Sequence, residues 1–191
     1  MVFMGNKYGS GKIFQIKILL KGIKPQVWRK ILVENSISFD KLHEIIQRAM
    51  GWDNYHLYVF ETGGMEIGVP DKDDEREMID SRKITIARLP EKAKLIYTYD
   101  FGDNWEHIIT IEKIIGKERH EKYPFCISGE RACPPEDCGG VWGYQEFLQA
   151  IRNPKHKEHK EMLEWIGGSF DSEKFDIDEV NKELKPLQKV T

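Results

Sequence analysis

The sequence predicts an α+β fold: a single domain with a largely antiparallel sheet, packed by helices and ending in a helical C-terminal third. Three observations predict it. Short segments of alternating apolar residues recur between Ile13 and Ile115, with turn residues between them. One apolar stripe with helical spacing interrupts them at 39–50, and beyond Tyr144 the spacing is helical throughout. At 191 residues and 40% hydrophobic content the chain can bury one sizeable core, and no repeat or linker divides it. Residues 1–11 read as a flexible tail, leaving 12–191 as the domain.

In chain order, Phe14, Ile16, Ile18 and Leu20 alternate along a first strand. Gly22 and Pro25 turn the chain, and Val27–Glu34 returns antiparallel. Ser38 is an N-cap, Asp40 suits the positive end of the helix, and Phe39, Leu42, Ile45, Ile46, Ala49 and Met50 form its apolar stripe up to Gly51. His43, off that stripe, reads as a surface or edge residue. Tyr55–Glu61 and Met65–Val69 make a hairpin around Gly63-Gly64. The charged stretch 70–76 reads as a loop, and Ile79–Leu89 as a short helix before Pro90. This strand-strand-helix-strand-strand start resembles β-grasp arrangements. Lys94–Asp100 and 105–115 form a second hairpin, turned by Phe101-Gly102-Asp103-Asn104, with Trp105, His107, Ile109 and Ile111 on one face. Prolines and glycines make 123–142 a loop. Three helices follow: one through Tyr144–Ile151 ending at Asn153-Pro154, one stopped by Gly167-Gly168, and one capped by Asp176 and ended by Pro186.

Composition excludes several classes. No apolar run approaches the roughly 20 residues that a spanning helix needs, so no membrane association is expected. The N-terminus lacks the pattern of a secretory signal, and three cysteines do not make a disulfide framework; a reducing cytoplasm is the expected compartment. Gly5 to Lys12 fails the phosphate-loop spacing, since Ser10 stands where glycine is required. The first acidic residue is Glu34, so Lys17, Lys21, Lys24, Arg29 and Lys30 form a basic first hairpin. That hairpin is either a nucleic-acid contact or a solvated strand face.

Unusual residues concentrate between Tyr97 and Tyr144, which holds all three cysteines. The hairpin turn places Asp100, Asp103 and Glu106 near one another with His107 along the strand. Crowded carboxylates and an imidazole can hold a divalent metal or divide acid and base roles, because their mutual field separates their pKa values. The simpler alternative is structural: Asp103 and Asn104 make the turn, Asp100 caps it and His107 fills the core beside Trp105. Cys126, Cys133 and Cys138 have no tight two-thiolate knuckle, so zinc there needs a fourth ligand from His107, Glu136 or Asp137. Packed thiols are the alternative.

The segments YTYDFGDNWEHIITIE, YPFCISGERACPPEDCGGVWGYQEFL and EWIGGSFDSEKFD, with the opening 13–60, resemble the plasmid pRiA4b ORF-3-like family over nearly the whole chain. The resemblance implies recurring positions at Tyr99, Asp100, Phe101, Gly102, Asp103, Trp105, His107, Cys126, Gly129, Pro134, Pro135, Glu136, Asp137, Gly139, Gly140, Gly143 and Tyr144. Some family members carry a resolvase-like, insertion-element label, but no recombinase serine or tyrosine constellation is present here. The expected function is therefore a cytoplasmic accessory or binding module of mobile-element origin. Its expected recognition surface is 99–107 with 126–144, facing a protein or nucleic-acid partner. A metal-dependent, hydrolase-like enzyme on the same surface is the alternative.

Overall fold

The computed structural model of the protein describes residues 8–71, 77–118 and 121–188. Strands are β1 (Tyr8–Leu20), β2 (Trp28–Glu34), β3 (Tyr58–Thr62), β4 (Met65–Gly68), β5 (Met78–Asp80), β6 (Lys94–Tyr99), β7 (Trp105–Glu118) and β8 (Phe125–Glu130). Helices are α1 (Phe39–Met50), α2 (Gly140–Arg152), α3 (His159–Trp165) and α4 (Ile177–Leu184). The strands make one sheet in the order β5-β4-β3-β6-β7-β1-β2-β8, antiparallel except between β4 and β5. This is the expected α+β class. The β6–β7 hairpin lies between the two hairpins of the ββαββ start, so those two do not pair with each other.

Register explains the core. Ile79, Ile67, Phe60, Tyr97, His107 and Leu20 are successive cross-strand partners, so one row of side chains, buried except for the partly buried Ile79, crosses six strands. Paired residues share a face of the sheet, and this face lies under α1, whose apolar stripe is wholly buried. Each such aliphatic side chain contributes about 1.5–3 kcal/mol by leaving water. The caps are as expected: Lys41 N–H donates to Ser38 Oγ at 3.1 Å, and Gly51 ends α1 in the left-handed conformation. Asp176 accepts from the backbone of Asp178 and Glu179 at the start of α4, which packs on α1 and β8.

Three expectations are corrected. Residues 125–130 are a strand, not loop: β8 pairs with β2, and its glycine permits close packing rather than a break. A Cβ at Gly129 would stand 2.6 Å from Phe175 and 2.9 Å from Arg29. Only Ile86–Arg88 of the expected 79–89 helix is helical, as a single 3-10 turn. Asp80 accepts from the Arg82 N–H and ends β5 there. His43 is buried rather than at the surface, because it continues the inward face of α1 one turn beyond Phe39 and stacks on Tyr58 at 3.6 Å.

β1 begins at Tyr8, so 8–11 belong to the sheet, while residues 1–7 of the expected tail lie outside the described residues. So does most of the expected 70–76 loop. No helix among the described residues is long and apolar enough to cross a membrane.

Candidate metal centre and recognition rim

Positive-φ turns build the rim. Asp100 takes φ 56°, and its Oδ1 accepts the Gly102 N–H at 2.9 Å; Asn104, at φ 55°, closes the turn onto the Asp100 carbonyl at 2.6 Å. The turn then docks on the start of α2. Asp103 Oδ2 accepts the Gly139 N–H at 3.1 Å, and Gly140 is so close that a Cβ would fall 2.4 Å from the Asp103 carbonyl oxygen. Gly140 also has φ 67°, so glycine is required there by conformation and by space.

The segment before β3 is laced to this platform. Tyr99 Oη donates to Glu136 Oε1 at 2.5 Å and accepts from the backbone N–H groups of Tyr55 and His56 at 3.0 and 3.3 Å. Glu136 Oε2 accepts the Asp53 N–H at 2.7 Å, and Trp52 Nε1 donates to the Pro134 carbonyl at 2.9 Å. Glu136 is thereby committed to structure. Burial, then the Glu136 bond, hold the Tyr99 hydroxyl well above its usual pKa, so it serves as a neutral donor.

This lacing brings His56 to two carboxylates. Its Nε2 lies 3.7 Å from Asp100 Oδ2 and 3.1 Å from Asp137 Oδ1. Yet Nε2 is buried and makes no hydrogen bond, because the short approach to Asp137 lacks the alignment of one. Asp137, like Asp100, sits at positive φ (57°), a conformation that costs a non-glycine residue energy and that clusters at functional sites. One ligand atom from each residue lies within 4.8 Å of the others, the single such group of three His, Cys, Asp or Glu side chains among the described residues. One imidazole and two carboxylates suit a divalent cation of zinc or manganese type and leave coordination positions open. Tyr55, Leu57 and Phe101, which adjoin His56 and Asp100 in the chain, are exposed to solvent, as is Trp142 on α2.

The sequence-predicted residues separate. Asp100 and Asp137 join the group, whereas Asp103 and Glu136 brace the loops. Glu106 points to the opposite sheet face, where it pairs with Lys21 at 2.6 Å. His107 is enclosed in the core row: Nδ1 faces the carbonyls of Trp105 and Tyr97 at 3.0 and 3.3 Å, and Nε2 has no partner. Burial pulls its pKa down to about 4, so it is neutral and sealed from substrate. Cys126, Cys133 and Cys138 are free thiols and do not form a three-ligand group with His107. Burial pushes Cys133 and Cys138 up to about 12, which makes them protonated packing residues at neutral pH.

The basic hairpin is largely matched within the sheet. Lys21 meets Glu106, Lys30 meets Glu112 at 2.9 Å, and Lys17 lies 4.8 Å from the Trp28 ring centre. Lys24 is exposed in the turn, and Arg29 is buried. Alternation puts His56 in the strand 55–61 and hides its role; β3 begins only at Tyr58, and the signal is the polar run Asp53-Asn54 just before His56.

A profile of the plasmid pRiA4b ORF-3-like protein family matches residues 12–179. The chain is 38% identical over 179 residues to "Uncharacterized protein y4hQ" of Sinorhizobium fredii, covering 92% of each sequence. A crystal structure of a protein of unknown function, MM3350 from Methanosarcina mazei Go1, is similar with a TM-score of 0.81 and 38% identity. That likeness spans 88% of this chain and 97% of the other.

Proposed function

Because the chain belongs to the plasmid pRiA4b ORF-3-like family, we propose that it is a binding module whose recognition surface is made by the exposed residues of the rim at 99–107 and 126–144, with the buried ones beneath them as support. A divalent cation held by His56, Asp100 and Asp137 forms the polar centre of that surface. The observation that carries the reading is the convergence of these three side chains around an unbonded imidazole nitrogen, on segments laced together by Tyr99 and Glu136. The exposed apolar side chains beside it supply the contact area that recognition surfaces use. A cytoplasmic accessory role of mobile-element origin is the setting that the family resemblance implies, and three free thiols accord with it.

A metal-dependent hydrolase is the second reading, favoured by the open positions that three protein ligands leave for a water. In that case a bound cation would lower the pKa of a water, and His56, Asp100 and Asp137 would only hold it.

Calorimetric titration of chelator-treated protein with Zn²⁺ and Mn²⁺ tests the centre. One site per chain is expected, lost in His56→Gln and in Asp137→Asn. Stoichiometric binding that survives both substitutions overturns it. Hydrolysis of activated ester or phosphodiester substrates, dependent on the added metal and lost in the same variants, selects the enzyme reading over the module.

A further inference from the structure

A separate cleft of about 490 Å³ opens between the C-terminal end of α1 and α4. At its floor lies Arg29, only 4% exposed. Its Nε donates to the Ala49 carbonyl at 3.1 Å, and Nη1 donates to the Trp28 and Glu130 carbonyls at 2.9 and 3.0 Å. Phe175 covers the guanidinium at 4.7 Å. These contacts use Nε and Nη1 and are all to neutral groups. Nη2 has no hydrogen-bond partner among the described residues and is not sealed from solvent, and Arg29 lines the cleft.

A buried cation without a carboxylate is uncommon, because desolvation costs several kcal/mol and carbonyls return only part of it. Burial does lower the Arg29 pKa, but a guanidinium remains protonated at neutral pH. The neighbouring Cys133 and Cys126 do not supply the missing charge, since burial raises both thiols. The rim does not supply it either. Arg48 is matched by Glu183 at 3.6 Å and Lys174 by Glu179 at 2.9 Å, while Asp176 caps α4. Four cationic side chains and three carboxylates line the cleft, leaving one positive charge over.

We propose that this cleft binds a small oxyanion-bearing metabolite, one of whose carboxylate or phosphoryl oxygens accepts from Arg29 Nη2. Since Nε and Nη1 are already engaged, recognition is through one nitrogen rather than the two-nitrogen fork that Arg offers an unobstructed carboxylate. The remainder of the molecule lies along Ala49, Met50, Phe175 and Val180, the apolar part of the lining. This site shares no residue with the His56 centre, and the fate of either reading leaves the other standing.

The test is a titration followed by ¹⁵N–¹H correlation spectra, with sodium phosphate and disodium succinate in separate arms at constant ionic strength set by chloride. Saturable shifts are expected at the amides of Gly51, Ala132, Cys133 and Phe175. The arm that saturates identifies the phosphoryl or carboxylate class. Arg29→Lys, which keeps charge but removes Nη2, is expected to abolish saturation. Exposed Lys182→Glu, which leaves the core untouched, is expected to weaken binding about tenfold. Shifts that rise linearly with both anions overturn the proposal. So does saturation unchanged in Lys182→Glu and in folded Arg29→Lys.

Discussion

His107, within β7, and His56, just before β3, face opposite fates. His107 sits in the middle of the sheet between Tyr97 and Leu20, fully buried, with its pKa drawn down to about 4 by desolvation. His56 sits on the loop that leads into β3, with its ring nitrogen between two carboxylates and its side chain partly open to solvent. The comparison teaches that residue type alone does not assign a role. A histidine two places along a strand from Trp105 is driven inward by strand alternation and becomes a packing group. One held by backbone bonds to Tyr99 is presented outward, beside carboxylates that can share a cation.

The largest effect that should distinguish the two regions is acid sensitivity of the interior. His43 joins His107 there: Tyr97 Oη donates to its Nδ1 at 2.7 Å, its Nε2 donates to Asn54 Oδ1 at 2.6 Å, and burial lowers its pKa to about 4. Both folded-state values lie below the unfolded value of about 6.5. The unfolded chain therefore binds more protons in this window, and stability is complete above pH 6.5 and lost as pH falls towards 4. The loss is about 3 kcal/mol for each histidine. Urea unfolding at stepped pH should show it, with about half of the slope removed in His107→Leu; a flat profile breaks the assignment of a sealed interior.

Next in size, Trp105→Ala empties a fully buried site between Tyr99 and Trp52 and should cost about 3–5 kcal/mol in the same measurement. A smaller cost would mean that the core relaxes around the void. At the seam between the two regions, Gly140→Ala forces a Cβ against the Asp103 carbonyl at positive φ and should cost about 1–3 kcal/mol. It should also weaken cation binding, because the hairpin turn and α2 must move apart. Unaltered binding would show that the rim is independent of this docking. The smallest stability change belongs to Asp137→Asn, whose exposed side chain should shift unfolding by no more than about 0.5 kcal/mol. Calorimetry on that variant should nevertheless show Zn²⁺ binding lost, the sharpest contrast with the interior.

How much of this was legible follows from the range of each signal. Alternation placed Trp105, His107, Ile109 and Ile111 together, and all four are buried. The caps at Ser38 and Asp176 were readable because a cap involves only neighbours. β8 was not readable, since Gly129 meant loop until Phe175 and Arg29 were packed over it. Asp100 and Asp137 were recognised as chemically capable, but their partner His56 was not.

The sequence by itself determined the local terms: strand and helix periods, cap and turn residues, the family resemblance, and one α+β domain around one core. Each depends on residues near in the chain, or on a pattern that survives without knowing what packs where. Only the tertiary structure decided the strand order, which inserts β6 and β7 between the two early hairpins. The same folding carried Arg29 from an apparent basic surface to a cleft floor, and His56 to carboxylates 44 and 81 positions away in the chain. Burial and charge neutralisation are sums over every element that closes around a group, and no segment carries that sum in its own residues.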